Sequence, residues 1–292
     1  MVRIVRILAP NPSVYTLEGT NTWIVGEDPS IVIDPGPDDA GHLDEVARAA
    51  GRVGAVLVTH DHEDHAPGAA AFAERAGTPF HAFRLTGGEH LRDGQRFAAS
   101  RGAEVIAVYT PGHSSDHVAF FVPSEGALFT GDAVVGRGTS FIDPPDGDLV
   151  QYLRSLRRMQ DLSPRVIYPG HGPVALDARA TLDFYVTHRE DREREVLSLL
   201  TDGPRTIPDL VATIYRDHPP DVHALAERSV LAHLLKLESE GRVERKGKVE
   251  GATWSKSEPR VCARCGRPVK GRAKLCGPCS LAVLQETADA GG

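Results

Sequence analysis

Four apolar runs, far apart in the chain, each stop at a histidine or an aspartate. G-A-V-L-V-T (54–59) leads into T-H-D-H-E-D-H (59–65), and E-V-I-A-V-Y-T (104–110) ends in Pro111-Gly112-His113. A-L-F-T (127–130) ends in Gly131-Asp132, and R-V-I-Y (165–168) ends in Pro169-Gly170-His171-Gly172-Pro173. Short apolar runs of this kind read as buried strands. Glycine beside the polar residue lets the backbone turn sharply there. After the first run, residues 66–76 read as a helix stopped by Gly77, so the histidine cluster occupies a strand-to-helix loop. The pattern predicts a layered α/β chain, whose sites gather where loops converge at the strand ends.

The residue types predict the chemistry. Neutral imidazole nitrogens and carboxylate oxygens suit Zn²⁺, and also Fe or Mn. Alternate positions in a tight loop let His60 and His62 point at one ion, while Asp64 and His65 turn toward a second. Asp132, from another strand, has two oxygens and is able to bridge the pair. Two metals roughly 3.5–4 Å apart activate water and stabilise both attacking and leaving oxygens. The chain has 13 histidines, and a histidine is more often packed or solvated than ligating. His42, His81, His90, His218, His223 and His233 are read that way, and His117 in S-S-D-H leans the same way. Asp61 and Glu63, between ligands, are expected to face solvent or support the ligands.

T-H-D-H-E-D-H resembles the His-x-His-x-Asp-His signature of the metallo-β-lactamase superfamily, with His113, Asp132 and His171 following in segments like its later motifs. G-T-N-T-W-I-V-G (19–26) and I-V-I-D-P-G (31–36) are similar to its opening strands. The resemblance spans residues 1–188 and implies an αββα sandwich with a dinuclear site at one edge of two packed sheets. It further implies that one metal takes His60, His62 and His113, the other Asp64, His65 and His171, with Asp132 bridging. The implied mechanism is attack by a metal-bridging hydroxide, with Asp64 or Asp132 accepting its proton. True metallo-β-lactamases generally lack the bridging aspartate, so the resemblance points away from antibiotic hydrolysis and toward thioesters, lactones or phosphodiesters.

Beyond residue 188 the pattern changes. A first helix is expected at about 189–201, and a second from Thr206 to Asp217, with Thr206 as N-cap and Asp209 at the third position. A third runs from about His223 to Glu240, stopped by Gly241. Short strands in 242–250 and 252–256 complete a winged-helix pattern over 189–256. This extension, with T-P-G-H-S-S-D-H, I-Y-P-G-H-G-P and T-H-R (187–189), resembles the β-lactamase-like protein 2 family. That resemblance implies single-strand endoribonuclease activity, as in its animal members, or thioester hydrolysis, as in related fungal enzymes. The long helix sets Arg228 and Lys236 against Glu227, Glu238 and Glu240, less basic than a groove-reading helix. Arg242, Arg245, Lys246 and Lys248 make the hairpin the better phosphate candidate. The other role open to the extension is to pack over the active-site edge and shape the cleft.

All four cysteines lie near the end, as Cys262, Cys265, Cys276 and Cys279 in a Cys-x₂-Cys-x₁₀-Cys-x₂-Cys arrangement. That spacing suits two knuckles on one structural Zn²⁺, a small zinc ribbon over 257–282, with a disordered tail at 283–292. Charge is uneven: residues 1–255 carry 26 Lys/Arg and 37 Asp/Glu, a balance of −11, whereas 256–280 carry seven and one, a balance of +6. Arg260, Arg264, Arg267, Lys270, Arg272 and Lys274 crowd the knuckles and offer a surface for single-stranded RNA. The acidic body instead favours a small ester, thioester or lactone. A non-catalytic nucleic-acid-binding regulator is disfavoured by the intact ligand set. Arg3 and Arg6 interrupt the apolar N-terminal residues, no apolar run reaches about 18 residues, and cysteine is absent from the large domain. These features predict a cytoplasmic protein without a membrane partner.

Overall fold

Two sheets face each other across an apolar layer. The structure, a computed structural model, describes residues 1–217, 219, 222–257, 262, 264, 265 and 278–280. The first sheet has six strands in the order β1 (Ile4–Leu8), β2 (Asn21–Gly26), β3 (Ser30–Ile33), β4 (Val53–Leu57), β5 (Phe80–Ala82) and β6 (Glu89–His90). β1–β2 and β2–β3 pair antiparallel, and β3 to β6 run parallel. The second sheet has five strands. Its order is β11 (Val166–Pro169), β10 (Ala127–Gly131), β9 (Val118–Val122), β8 (Glu104–Tyr109) and β7 (Arg96–Ala98).

Alternation along each strand decides which layer a side chain enters. Trp23, Val25, Ile31, Ile33 and Leu57 face Val105, Phe120 and Phe129 in the inter-sheet core. Their neighbours Ile24, Val32 and Val56 pack on the other side against α1 (Ala40–Ala50) and α2 (Gly68–Ala76). A sheet covered on both faces reads as a nearly unbroken apolar run, which is why these strands were legible. α2 closes on Gly77, whose φ of 65° is the left-handed stop expected of it. α3 (Leu149–Asp161) starts on Asp148, whose side chain accepts from the amides of Val150 and Gln151. Gly112 accommodates this helix: a Cβ there would stand 2.3 Å from Tyr152 Cα.

The chain divides into two compact units, Met1–His188 and Arg189–Gly292. The helix expected at about 189–201 is the end of a longer one, α4 (Ala178–Leu199), so the division falls inside a helix. No glycine or proline interrupts 178–199, and nothing local stops the helix at 188. In the second unit α5 (Ile207–Ile214) begins with the expected capping box between Thr206 and Asp209, but ends three residues short of Asp217. α6 (His223–Ser239) follows, then the antiparallel pair β12 (Val243–Lys246) and β13 (Thr253–Lys256). Val196, Leu210, Val230, Leu234, Leu237 and the fully buried Trp254 form its core. Among the described residues no helix is long and apolar enough to cross a membrane. His218, Cys276, Arg260, Arg267, Lys270, Arg272, Lys274 and residues 283–292 lie outside the described residues.

Candidate metal centre

The parallel β3–β4 pair sets Ile33 opposite Leu57, so both strands end at the same edge. Asp34 follows β3 and the 59–65 loop follows β4. In the second sheet the pairing of β10 with β11 shifts between Phe129 and Gly131, a bulge just before Asp132. Asn21 joins the two sheets there. Its Nδ2 donates to Pro169 O and Gly172 O at 2.9 Å each, and Trp23 Nε1 donates to Pro169 O at 2.9 Å. The loop carrying His171 is thereby tied to β2.

All seven catalytic candidates converge in two sets, His60/His62/His113 and Asp64/His65/Asp132/His171, each with ligand atoms within 4.8 Å of one another. His62 Nδ1 lies 2.9 Å from His60 Nε2 and 3.2 Å from His113 Nε2. Asp64 Oδ2 stands 3.0 Å from His171 Nε2 and 3.3 Å from His65 Nε2. Asp132 spans both sets, with Oδ1 at 3.3 and 3.2 Å from His65 and His171 Nε2, and Oδ2 at 3.8 Å from His113 Nε2. Gly170 permits this approach, because a Cβ would meet Asp132 Oδ1 and His65 Cε1 at 2.7 Å.

The outward nitrogens decide what the inward ones present. His113 Nδ1 donates to Phe141 O at 2.7 Å and His171 Nδ1 to Gly19 O at 3.3 Å, so neutral rings hold their Nε2 lone pairs inward. His65 Nδ1 donates to Asp34 Oδ2 at 2.9 Å. Thr59 Oγ1 spends its hydrogen on Asp34 Oδ2 at 2.8 Å, so it accepts from His60 Nδ1 at 2.9 Å. His60 and His113 thus aim lone pairs at His62 Nδ1, and one proton on that atom satisfies only one of them. A shared cation satisfies all three. Ligands about 2.0–2.1 Å from a tetrahedral Zn²⁺ stand roughly 3.3–3.4 Å apart, close to these separations. The residues present fit a metal pair.

Electrostatics divides the centre in the same way. Burial drives the His60 imidazole well below its ordinary pKa, and neighbouring imidazoles push it further. Burial also lowers His113. On the other side burial opposes charge but loses. Asp132 and Asp64 raise His65 well above its usual range, and Asp132, with help from Asp64, lifts His171 to about 9. Burial likewise pushes the two carboxyls up, yet those imidazoles hold both well below the usual carboxylate range. A divalent cation entering this half takes the place of the imidazole protons.

Asp34 went unread as a functional residue, although I-V-I-D-P-G quotes it. Its carboxylate also accepts from the Thr59 amide at 2.7 Å. The available signal was an aspartate directly after a buried strand. Asp116 has a similar part, accepting from the Asp61 amide at 3.0 Å and from Ser114 Oγ at 2.7 Å. His117 is fully buried, 5.2 Å ring to ring from His60, and its Nδ1 bonds with Thr110 Oγ1, outside both ligand sets. Asp61 and Glu63 are exposed. His42 bonds Thr22, His90 bonds Phe83 O, His223 bonds Tyr215 O, and His81 stands 3.4 Å from Glu89. His233 is buried in α6. Of the hairpin cations, Arg242 pairs with Glu193 and Glu240, and Arg245 pairs with Glu238 while covering Trp254.

The sequence profile of the metallo-beta-lactamase superfamily matches residues 15–107 and 102–171, over half of the chain. The chain belongs to the metallo-β-lactamase superfamily. Its members are metal-dependent hydrolases, and so is this protein. The profile of the beta-lactamase associated winged helix domain matches residues 206–254. A relative named beta-lactamase-like protein 2 homolog in Drosophila melanogaster is 33% identical, over 82% of this chain and 89% of its own. An atrochrysone carboxyl ACP thioesterase of Aspergillus fumigatus is 35% identical, over 75% of this chain and 76% of its own. A metallo-beta-lactamase family protein of Thermus thermophilus shares the fold at a TM-score of 0.72 and 24% identity, covering 87% of this chain and 98% of that one.

Proposed function

We propose that this superfamily member is a dinuclear zinc hydrolase of acyl esters and thioesters, acting in the cytoplasm. The observation that carries the reading is an apolar rim on the loops that orient the metal ligands. Val14 and Tyr15 are 78% and 60% exposed on the segment that leads to Gly19, whose carbonyl holds His171. The Tyr15 ring lies 6.5 Å from Phe141, whose carbonyl holds His113. Such a rim suits an acyl group better than a polyanion. Three cations of the second unit are engaged locally: Lys236, Arg242 and Arg245 answer Glu193, Glu238 and Glu240 within that unit.

His60, His62 and His113 would hold one metal, and Asp64, His65 and His171 the other, with Asp132 between them. When bound, such ions polarise the scissile carbonyl and bring the pKa of water toward neutrality. The chain's own part is positional. Asp34, Thr59, Gly19 and Phe141 fix the tautomer and aim of His65, His60, His171 and His113. Asp64 and Asp132 stay ionised, so either can take a proton at a carboxylate oxygen as water adds to the carbonyl. Zinc is favoured by the histidine-rich N/O set, which Fe and Mn also suit.

A series of thioesters of rising acyl length, assayed beside single-stranded RNA with and without chelator, tests the reading. Chelator-sensitive thioester turnover, lost in Asp132→Ala and with a raised KM for long chains in Tyr15→Ser, is the expected result. RNA cutting with inert thioesters would overturn it. That second reading, a single-strand endoribonuclease, is carried by the +6 balance of residues 256–280 beside the −11 of residues 1–255.

A further inference from the structure

Among the described residues, no cysteine belongs to either catalytic ligand set. The sulfurs of Cys262, Cys265 and Cys279 lie within 4.8 Å of one another, and none of these three is joined in a disulfide. The geometry points to a structural zinc site on these three thiolates. Cys276, which the sequence spacing groups with them, lies outside the described residues.

Three observations support the assignment. Cys262 is only 2% exposed, although few apolar residues surround it in the sequence. Residues 257–280 hold too little apolar area to build a core, so ligation supplies the folding free energy. Thiolates about 2.3 Å from a tetrahedral Zn²⁺ stand roughly 3.8 Å apart, inside the observed limit. Charge agrees as well. Each ligating thiol releases its proton to solvent as Zn²⁺ binds, and the resulting anionic unit falls in a stretch of sequence, 256–280, whose balance is +6. This site is sulfur-rich where the catalytic pair is nitrogen- and oxygen-rich, so the two differ in how they are challenged.

All four cysteines of the chain lie between 262 and 279, so any thiol titration reads this segment alone. Alkylation of the full metal-loaded chain by iodoacetamide, followed by intact mass, should modify almost none of them, and all four after chelation. Metal counting should show Cys262→Ser/Cys279→Ser losing one zinc per chain that Asp132→Ala retains. Should the double variant misfold, unaltered chain refolded with Co²⁺ alone must show thiolate-to-cobalt charge-transfer absorption. Four reactive thiols in the metal-loaded chain, a pair of disulfides, an unchanged zinc count in the cysteine variant, or cobalt spectra without thiolate bands would each overturn the site.

Discussion

Asp34→Asn isolates the support beneath both metal ligand sets. Asp34 sits at φ 51°, a left-handed conformation that asparagine tolerates well, so the backbone has no reason to move. The carboxylate accepts three hydrogen bonds, from Thr59 N, Thr59 Oγ1 and His65 Nδ1. An amide in its place has one oxygen. If the NH₂ takes the Oδ2 position it faces the donors of Thr59 Oγ1 and His65; turned over, it faces the Thr59 amide. Either way a buried donor is unmet, which costs about 1–3 kcal/mol of stability. The larger effect is on ligand aim. Losing an outer partner of a metal histidine typically weakens binding about 10–100-fold, or about 1.4–2.7 kcal/mol. His65 is touched directly and His60 through Thr59, so both ions should bind more weakly. Thr59→Val removes the partner of His60 and should weaken one ion far more than the other. Competition titrations of metal against a chromophoric chelator read both constants, and denaturant unfolding of the metal-free chain reads the stability cost. Unchanged affinity for both ions in a folded Asp34→Asn chain would refute the reasoning.

Gly170→Ala should cost about 1–3 kcal/mol of stability by overpacking and loosen the metals at least about tenfold, because the new methyl displaces Asp132 or His65; a full-affinity variant would show that the ligands do not need this approach. Trp254→Ala should remove about 3–5 kcal/mol from the second unit, read as an earlier phase in the unfolding of the full chain by denaturant. Burial lowers the pKa of His42 from its ordinary value near 6.5, so below that pH the unfolded chain takes up its proton first and stability falls as pH falls. His42→Gln, which keeps a donor for Thr22, should flatten that fall by up to about 1.4 kcal/mol per pH unit. Equal slopes in stability-versus-pH curves of the two proteins would contradict it.

What the amino-acid order determined by itself was local. Apolar runs bounded by Gly-His and Gly-Asp made strands and their loops, the Thr206–Asp209 box opened α5, and Gly77 closed α2, because each depends on neighbours a few positions away. The convergence of the seven candidates was legible for the same reason: strands of one layered fold end at a common edge, and so do the histidines that terminate them. Asp34 was not legible, since its bonds reach 25 and 31 positions along the chain to Thr59 and His65. Nor were Asn21 and Trp23, which hold the loop of His171 from 148 and 146 positions away. The ion pairs of the hairpin were no more legible. Folding brings Glu193, 49 residues distant, against Arg242. Periodicity and turn chemistry are properties of a short stretch of chain. Which nitrogen of an imidazole faces the metal, and which cation is already answered, depend on the partner that folding places beside it.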